Sequence, residues 1–433
     1  MSEITILHLS DIHFKKKKDE DNKIFRQTVQ ERLMEAMTTH LGQHGNPDFV
    51  VITGDIAFSG KKEEYDEAFT FLKGLKAVLP GETEFLAVPG NHDVDREQID
   101  EFFSLQKHIV LENLTDKFLE NEKKVKHYIN VKVKAYRGFI HQLNPGLYQL
   151  KEDYFWVKNY KEKNVAFLGL NSAWACEGDH DRFNIALGPA QLSKALGQAD
   201  KCTNKILLMH HPPFDWLKDM ETGRPELFKN SRLLLHGHTH SDHAHVYKDP
   251  DHACLCLGAN ASYTNDKKGF IGFQFINVDF QGHGTATATA TVWPYILDTR
   301  RKEFVPDRER YSGQKGNPFF QVDAFTAVSH TATVSAVIPV NYKNWIKEFH
   351  SNLPVDQLAR KGEVVLISLP AVYIALEVAN PFYKPMTDEH KRAKKEVEEL
   401  EKVPQNIPVE ELLGTWNCLL LRGNAGTGKT TLI

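Results

Sequence analysis

Glu84-Phe85-Leu86-Ala87-Val88-Pro89-Gly90-Asn91-His92-Asp93 is the stretch on which the reading of this chain turns. A short apolar run of strand character closes in Pro-Gly, a turn signal. The turn then presents an amide oxygen, an imidazole and a carboxylate together. In an open α/β sheet, ligands bind outside the carboxyl ends of the strands, where these groups fall. Asn, His and Asp are also ordinary turn residues, so the other strand ends decide between a site and a plain turn.

They repeat the pattern. Ile4 to Leu9 is an apolar strand that runs into Ser10-Asp11-Ile12-His13. The two-residue spacing of Asp11 and His13 puts a carboxylate and an imidazole on one face of an extended backbone, the beginning of a metal site. Helical spacing of Ile24, Val29, Leu33, Met37 and Leu41 follows. Phe49 to Ile52 then ends at Thr53-Gly54-Asp55, and a second helix over 63–79 leads to the opening strand. This β-α-β-α-β order predicts a largely parallel sheet, whose right-handed crossovers bring the three strand ends to one edge.

Downstream, residues 95–143 read as an inserted helical cap whose lysines near 117–126 form a solvated face. Strands are expected over 154–158 and 164–170, the second ending at Leu170-Asn171-Ser172, and a helix over 189–199. Ile206 to Met209 enters His210-His211-Pro212-Pro213, and Leu233 to Leu235 enters His236-Gly237-His238-Thr239-His240. The stretches 253–257, 270–278 and 285–293 are read as antiparallel strands completing a second sheet. The alternation from Thr285 to Thr291 places Thr on one face.

The length of 433 residues allows two or three domains. A net charge of −4 gives no global pull toward nucleic acid or anionic membrane, which leaves local patches; Lys15-Lys16-Lys17-Lys18 reads as a solvated loop, with a hold on a polyanionic substrate beside Asp11 and His13 as the alternative. Five cysteines without a Cys-x-x-Cys pair point to reduced thiols and a cytoplasmic setting. The start lacks the regions of a signal peptide, and no apolar run reaches the ~18 residues of a membrane span, so no membrane association is expected.

After about Pro294 the character changes. Residues 298–318 suit a linker, 341–361 an amphipathic helix, 363–378 an apolar β-branched segment and 387–403 a charged helix. The chain then offers Gly423-x-x-x-x-Gly428-Lys429-Thr430 after Leu419-Leu420-Leu421. This is the P-loop pattern: a backbone turn through Gly423, Gly426 and Gly428 wraps phosphates, Lys429 neutralises charge and Thr430 holds Mg²⁺. It resembles the opening of a NACHT- or AAA-like NTPase. ATP or GTP is expected only with a complete NTPase domain, so the chain reads as an amino-terminal piece of a larger protein. The expected organisation is 1–297, a 298–410 connector, and 411–433 as the start of the NTPase part.

The ordered motifs Asp-x-His, Gly-Asp, Gly-Asn-His-Asp, His-His-Pro-Pro and Gly-His-Thr-His resemble the calcineurin-like metallophosphoesterase superfamily over roughly residues 4–295. The resemblance implies an α/β (α+β) fold: a four-layer β-sandwich flanked by helices, with a helical insertion and a carboxy-terminal α/β region. By position, one metal would take Asp11, His13 and His240, and a second Asn91, His210 and His238, with Asp55 bridging. Two cations about 3.5–4 Å apart need a shared anion between them, which a carboxylate supplies. This donor set suits Mn²⁺, Fe or Zn²⁺ better than Mg²⁺ or Ca²⁺.

The implied chemistry is attack on phosphorus by a hydroxide lying between the metals. His92 is expected to hydrogen-bond the phosphoryl group or protonate the leaving alkoxide, with Asp93 orienting it. His211 is read as a supporting or packing residue, and His236 and His243 as bystanders. The expected substrate is a phosphodiester, either nucleic acid or a cyclic nucleotide. A phosphomonoesterase or protein phosphatase is disfavoured because no arginine clamp stands among the motifs. A non-enzymatic, metal-stabilised interaction module is set against the intact ligand set and His92. A phosphoesterase joined to an NTPase also resembles bacterial antiviral sensor-effector proteins, with oligomerisation through the NTPase part, an inference from association alone.

Overall fold

Buried Ile4, Ile6, Leu7 and Leu9 make strand β1 (Glu3–Leu9) a central strand, with partners on both sides. In the computed structural model, the described residues are 3–322 with short interruptions, together with four three-residue strands beyond them. Two units divide the chain, 1–329 and 330–433.

The first unit opens with the expected alternation: β1, α1 (Lys23–His44), β2 (Phe49–Ile52), α2 (Lys62–Val78) and β3 (Glu84–Ala87). The three strands pair in parallel, with Leu9 opposite Ile52 and Ile52 opposite Ala87. They therefore end level, and the residues that follow each leave the sheet along one edge. α1 turns Val29, Leu33 and Met37 inward, whereas Ile24, which fits the same spacing, is exposed at the first turn.

The inserted helices are α3 (Glu101–Ile109), α4 (Thr115–Leu119), α5 (Glu122–Lys124) and α6 (Lys134–Leu143). Lys117, Lys123, Lys124 and Lys126 are exposed, as expected of a solvated face. Lys107 and Lys132 are buried. Lys132 Nζ donates to the carbonyls of Trp174 and Cys176 at 2.9 and 3.3 Å, and Lys107 Nζ donates to Asp181 at 2.9 Å. Two cations thus tie the insertion to the loop after the next strand pair.

That pair is β4 (Trp156–Tyr160) and β5 (Val165–Gly169), followed by α7 (Pro189–Gln198), β6 (Asn204–Leu208), β7 (Leu233–His236), β8 (His243–Lys248) and β9 (Ala253–Gly258). They form a six-stranded sheet in the order β4-β5-β6-β7-β9-β8, parallel from β5 through β9. Phe49 of the first sheet packs on Phe167 of the second with centroids 4.7 Å apart, and Trp156 Nε1 donates to the Ala87 carbonyl at 2.8 Å. Helices cover the sheets from outside, so the fold is the mixed α/β sandwich expected.

The later strands correct the sequence reading. The segments read as one antiparallel group divide between sheets. β9 lies parallel to β7 in the second sheet, while β10 (Gly272–Asp279) and β11 (Thr289–Asp298) return to the first, antiparallel to β1 and to each other. Strand character was legible; partner choice depends on where the chain crosses, which local pattern does not encode. Residues 298–318, read as a linker, supply β12 (Glu303–Pro306), and β13 (Phe320–Val322) follows; both pair with β11. In β11 the small residues face inward: Ala288, Ala290 and Val292 are buried, while Thr289 and Thr291 are partly exposed.

In the second unit, Asn352–Pro354 pairs with Leu366–Ser368 and Glu377–Ala379 with Asn406–Pro408, all antiparallel. The first of these strands interrupts the helix expected over 341–361. The helix expected over 387–403 and the loop from Gly423 to Thr430 lie outside the described residues, as do Lys17 and Lys18.

Candidate metal centre

The strand ends converge. Asp11 Oδ1 lies 3.2 Å from His240 Nε2 and 3.9 Å from His13 Nε2, and the two imidazole nitrogens are 3.3 Å apart. Beside this triad a second one forms: His210 Nε2 is 2.9 Å from Asn91 Oδ1 and 3.1 Å from His238 Nδ1, which itself lies 3.0 Å from Asn91 Oδ1. Asp55 joins the two. Its Oδ2 is 3.3 Å from His210 Nε2, and it shares a cluster with Asp11 and another with His13 and His92. The candidate metal ligands Asp11, His13, Asp55, Asn91, His210, His238 and His240 therefore meet in one place.

Backbone and electrostatics suit cations there. Asp11, His13, Asp55, His238 and His240 hold positive φ between 51° and 71°, a conformation that side chains larger than glycine rarely adopt. Concentrated strain of this kind marks a site whose geometry the surrounding fold enforces. A Cβ at Gly90 would collide with the Asp55 carboxylate, and one at Gly237 with Ser10 Oγ, so both motif glycines permit a close approach. Asp11 Oδ1 and His13 Nδ1 are buried without a hydrogen-bond partner. His210 Nδ1 faces the Thr53 carbonyl at 2.7 Å and so carries a hydrogen, which turns the Nε2 lone pair toward Asn91 and His238. Orphaned carboxylate oxygen and opposed lone pairs are what a divalent cation would satisfy.

The titration pattern agrees. Burial would raise the two carboxylates, yet neighbouring histidines hold both Asp11 and Asp55 well below the usual range. Burial lowers His13 to about 4 and His238 to about 3, keeping them neutral. On His210 burial works against charge, but Asp55 and Asp11 more than offset it and raise it to about 9. That proton and a cation would be alternatives at the same His210 Nε2 lone pair, and either answers the negative charge of Asp55 and Asp11.

The sequence profile of the calcineurin-like phosphoesterase family matches residues 4–242, more than half of the chain. The chain belongs to that family. A probable cyclic nucleotide phosphodiesterase from Moraxella catarrhalis (strain BBH18) is 33% identical over 116 residues, 27% of this chain and 36% of that protein. The chain thus spans about a third of the length of that relative. Similar solved structures include a dimetal phosphatase from Danio rerio, with 12% identity, 70% of this chain and 98% of that one covered, and a TM-score of 0.37. Another is wild-type Vps29 complexed with zinc from Entamoeba histolytica, with 11% identity, 74% and 99% covered, and a TM-score of 0.29. Scores this low carry no weight for fold or function.

One expected role fails. Asp93 does not orient His92. Its carboxylate accepts from the amides of Gly90, Ala57 and Ile56 and from Tyr65 Oη at 2.9, 3.0, 3.3 and 2.8 Å, pinning the turn after β3 to the turn after β2. Burial, then the charge of Asp55, raises its carboxyl to about 6. The acceptor for His92 Nδ1 is the Phe58 carbonyl at 2.7 Å, and His92 N donates to Asp55 Oδ1 at 2.8 Å. His211 Nδ1 lies 3.0 Å from Ser172 Oγ, and its ring packs on His238 with centroids 4.5 Å apart, close enough to share a ligand cluster with His210 and His238. His236 and His243 pair with each other at 3.1 Å.

Several supports of the centre were not among the residues singled out in the sequence. Ser10 Oγ donates to Asp11 Oδ2 at 2.6 Å, and Ser172 Oγ accepts from the amides of His210 and His211. Arg26 sits buried on α1 and donates to the carbonyls of Ile12 and His13 at 2.9 and 2.7 Å. Ser10 and Ser172 stood next to recognised strand ends. Nothing in the helical spacing of α1 distinguished Arg26.

Proposed function

We propose that this chain hydrolyses phosphodiesters at a dinuclear metal centre. The observation that carries the reading is Asp55, one buried carboxylate set between two triads of converging ligand atoms. Asp11, His13 and His240 would hold one cation of the Mn²⁺, Fe or Zn²⁺ kind, and Asn91, His210 and His238 the other. Such a pair, when bound, polarises a phosphoryl group and lowers the pKa of water.

The chain's own residues supply the rest. With Nδ1 donating to Phe58, His92 keeps Nε2 as the nitrogen that exchanges a proton, and it would deliver that proton to the leaving alkoxide. Lys15 Nζ lies 4.0 Å from the centroid of Phe58, whose ring neighbours His92 at 5.2 Å, so a cation guards the same mouth. Similarity to the Moraxella protein, a probable cyclic nucleotide phosphodiesterase, favours a diester over a monoester. Within this proposal the segment from Gly423 to Thr430 would couple the phosphoesterase to nucleotide binding in a larger assembly.

The test is Mn²⁺-loaded protein assayed on bis(p-nitrophenyl) phosphate, p-nitrophenyl phosphate, cyclic AMP, single-stranded DNA and RNA. The expected result is cleavage of diesters that chelation abolishes. Cleavage of the monoester alone would make it a phosphomonoesterase, and no cleavage would leave a metal-stabilised interaction module. A steep fall with salt on DNA or RNA alone would identify a polyanion substrate.

A further inference from the structure

A groove of about 690 Å³ opens beside the loop that carries His238 and His240, lined by Arg182, Phe214, Trp216, Thr239, His245 and Tyr247. Sites for small organic ligands run to roughly 300–1,000 Å³. The Trp216 ring stands edge-on to His238 with centroids 3.9 Å apart, so the groove begins where the second triad ends. Phe214 and Tyr247 both stack on Phe228, at 5.5 and 4.4 Å, which makes a firm aromatic floor. The Arg182 guanidinium lies 6.0 Å from the Trp216 centroid and 5.3 Å from that of Phe183.

This wall is fixed in place. Phe183 N donates to the Trp216 carbonyl at 2.9 Å and Lys218 N to that of Ile185 at 2.8 Å. Asp219 accepts from the amides of Leu187 and Gly188 at 3.0 and 2.7 Å. Asp181, next to Arg182, is the buried partner of Lys107 from the insertion.

Half-buried rings with a guanidinium at the rim suit a flat, π-faced ligand with polar edges. A nucleobase has that character, and stacking on aromatic side chains is a general way of holding one. We propose that this groove seats the base of a nucleotide whose phosphodiester is cleaved at the adjacent centre; the inference rests on the phosphodiesterase reading above.

The test compares kcat/KM for thymidine 5′-(p-nitrophenyl phosphate) and the p-nitrophenyl phosphate of 1,2-dideoxyribose at its 5-position, which share a leaving group and a sugar and differ in the base. The wild type should favour the nucleoside ester by about 10-fold or more, and Trp216→Leu should bring the ratio near one. The ratio cancels any shared loss from partial folding or metal content, and Arg182→Ala provides a second variant. Equal values in the wild type, or a ratio unchanged in both variants, overturn the inference. If neither ester is cleaved, the phosphodiesterase reading fails on its own. Calorimetric titration with AMP and ribose 5-phosphate then decides the groove: AMP should bind about 10-fold tighter in the wild type only, and equal binding overturns it.

Discussion

Asp55 carries the greatest burden of any side chain in the centre, because both triads use it. Asp55→Asn keeps the shape and removes the charge. It should reduce hydrolysis of bis(p-nitrophenyl) phosphate to background and weaken both Mn²⁺ equivalents, measured by metal analysis after dialysis. His92→Ala should behave differently. Its kcat should fall by about 10²- to 10⁴-fold with metal content unchanged, and full retained activity would remove its acid role. The metal-ligand candidates were legible because ligand chemistry is written in side-chain type and in the recurring strand-end position. The true partners of Asp93 were not, since three of its four donors are backbone amides brought together by two turns. The left-handed backbone at Asp11, His13 and Asp55 was equally hidden: Asp and His adopt it more readily than most side chains, but too seldom for residue type to announce it.

Among the elements, α1 and α3 do more than cover the sheets. α1 stacks His40 on Phe275 of β10 at 3.7 Å and sets its Nδ1 3.0 Å from Tyr295 Oη. Burial, then the nearby His44, pushes His40 down to about 3. The unfolded chain takes up a proton near pH 6.5 that the folded form refuses, so stability should fall as pH drops from about 6.5 toward 3 and be indifferent to this group above that range. His40→Gln should remove up to about 1.4 kcal/mol per pH unit of that slope, read from urea unfolding at pH 7.5 and 5. On α3, Lys107→Met leaves Asp181 buried without its cation. A loss of about 3–5 kcal/mol is expected in the same assay, since breaking a buried pair strands a charge. The helical insertion itself was evident from periodicity. Burial of Lys107 was not, because its acidic partners, Glu177 and Asp181, lie seventy or more positions away. For the same reason β9, β10 and β11 were recognised as strands but grouped wrongly: pairing across a sandwich is settled by long-range packing.

For the molecule as a whole, cations would act as part of the fold. Mn²⁺ at about 100 times its Kd contributes about 2.7 kcal/mol per site, so chelation should lower Tm in the wild type and leave Asp55→Asn nearly unmoved. Among the described residues no helix is long and apolar enough to cross a membrane. Each triad draws on both layers: Asp11, His13 and Asn91 follow strands of the first sheet, and His210, His238 and His240 follow strands of the second. The layers are thus two jaws closing on a common grip. A slip of an ångström along their joint would spoil both halves of the grip while every strand kept its hydrogen bonds. Mild denaturant should therefore silence the protein well before circular dichroism registers any unfolding.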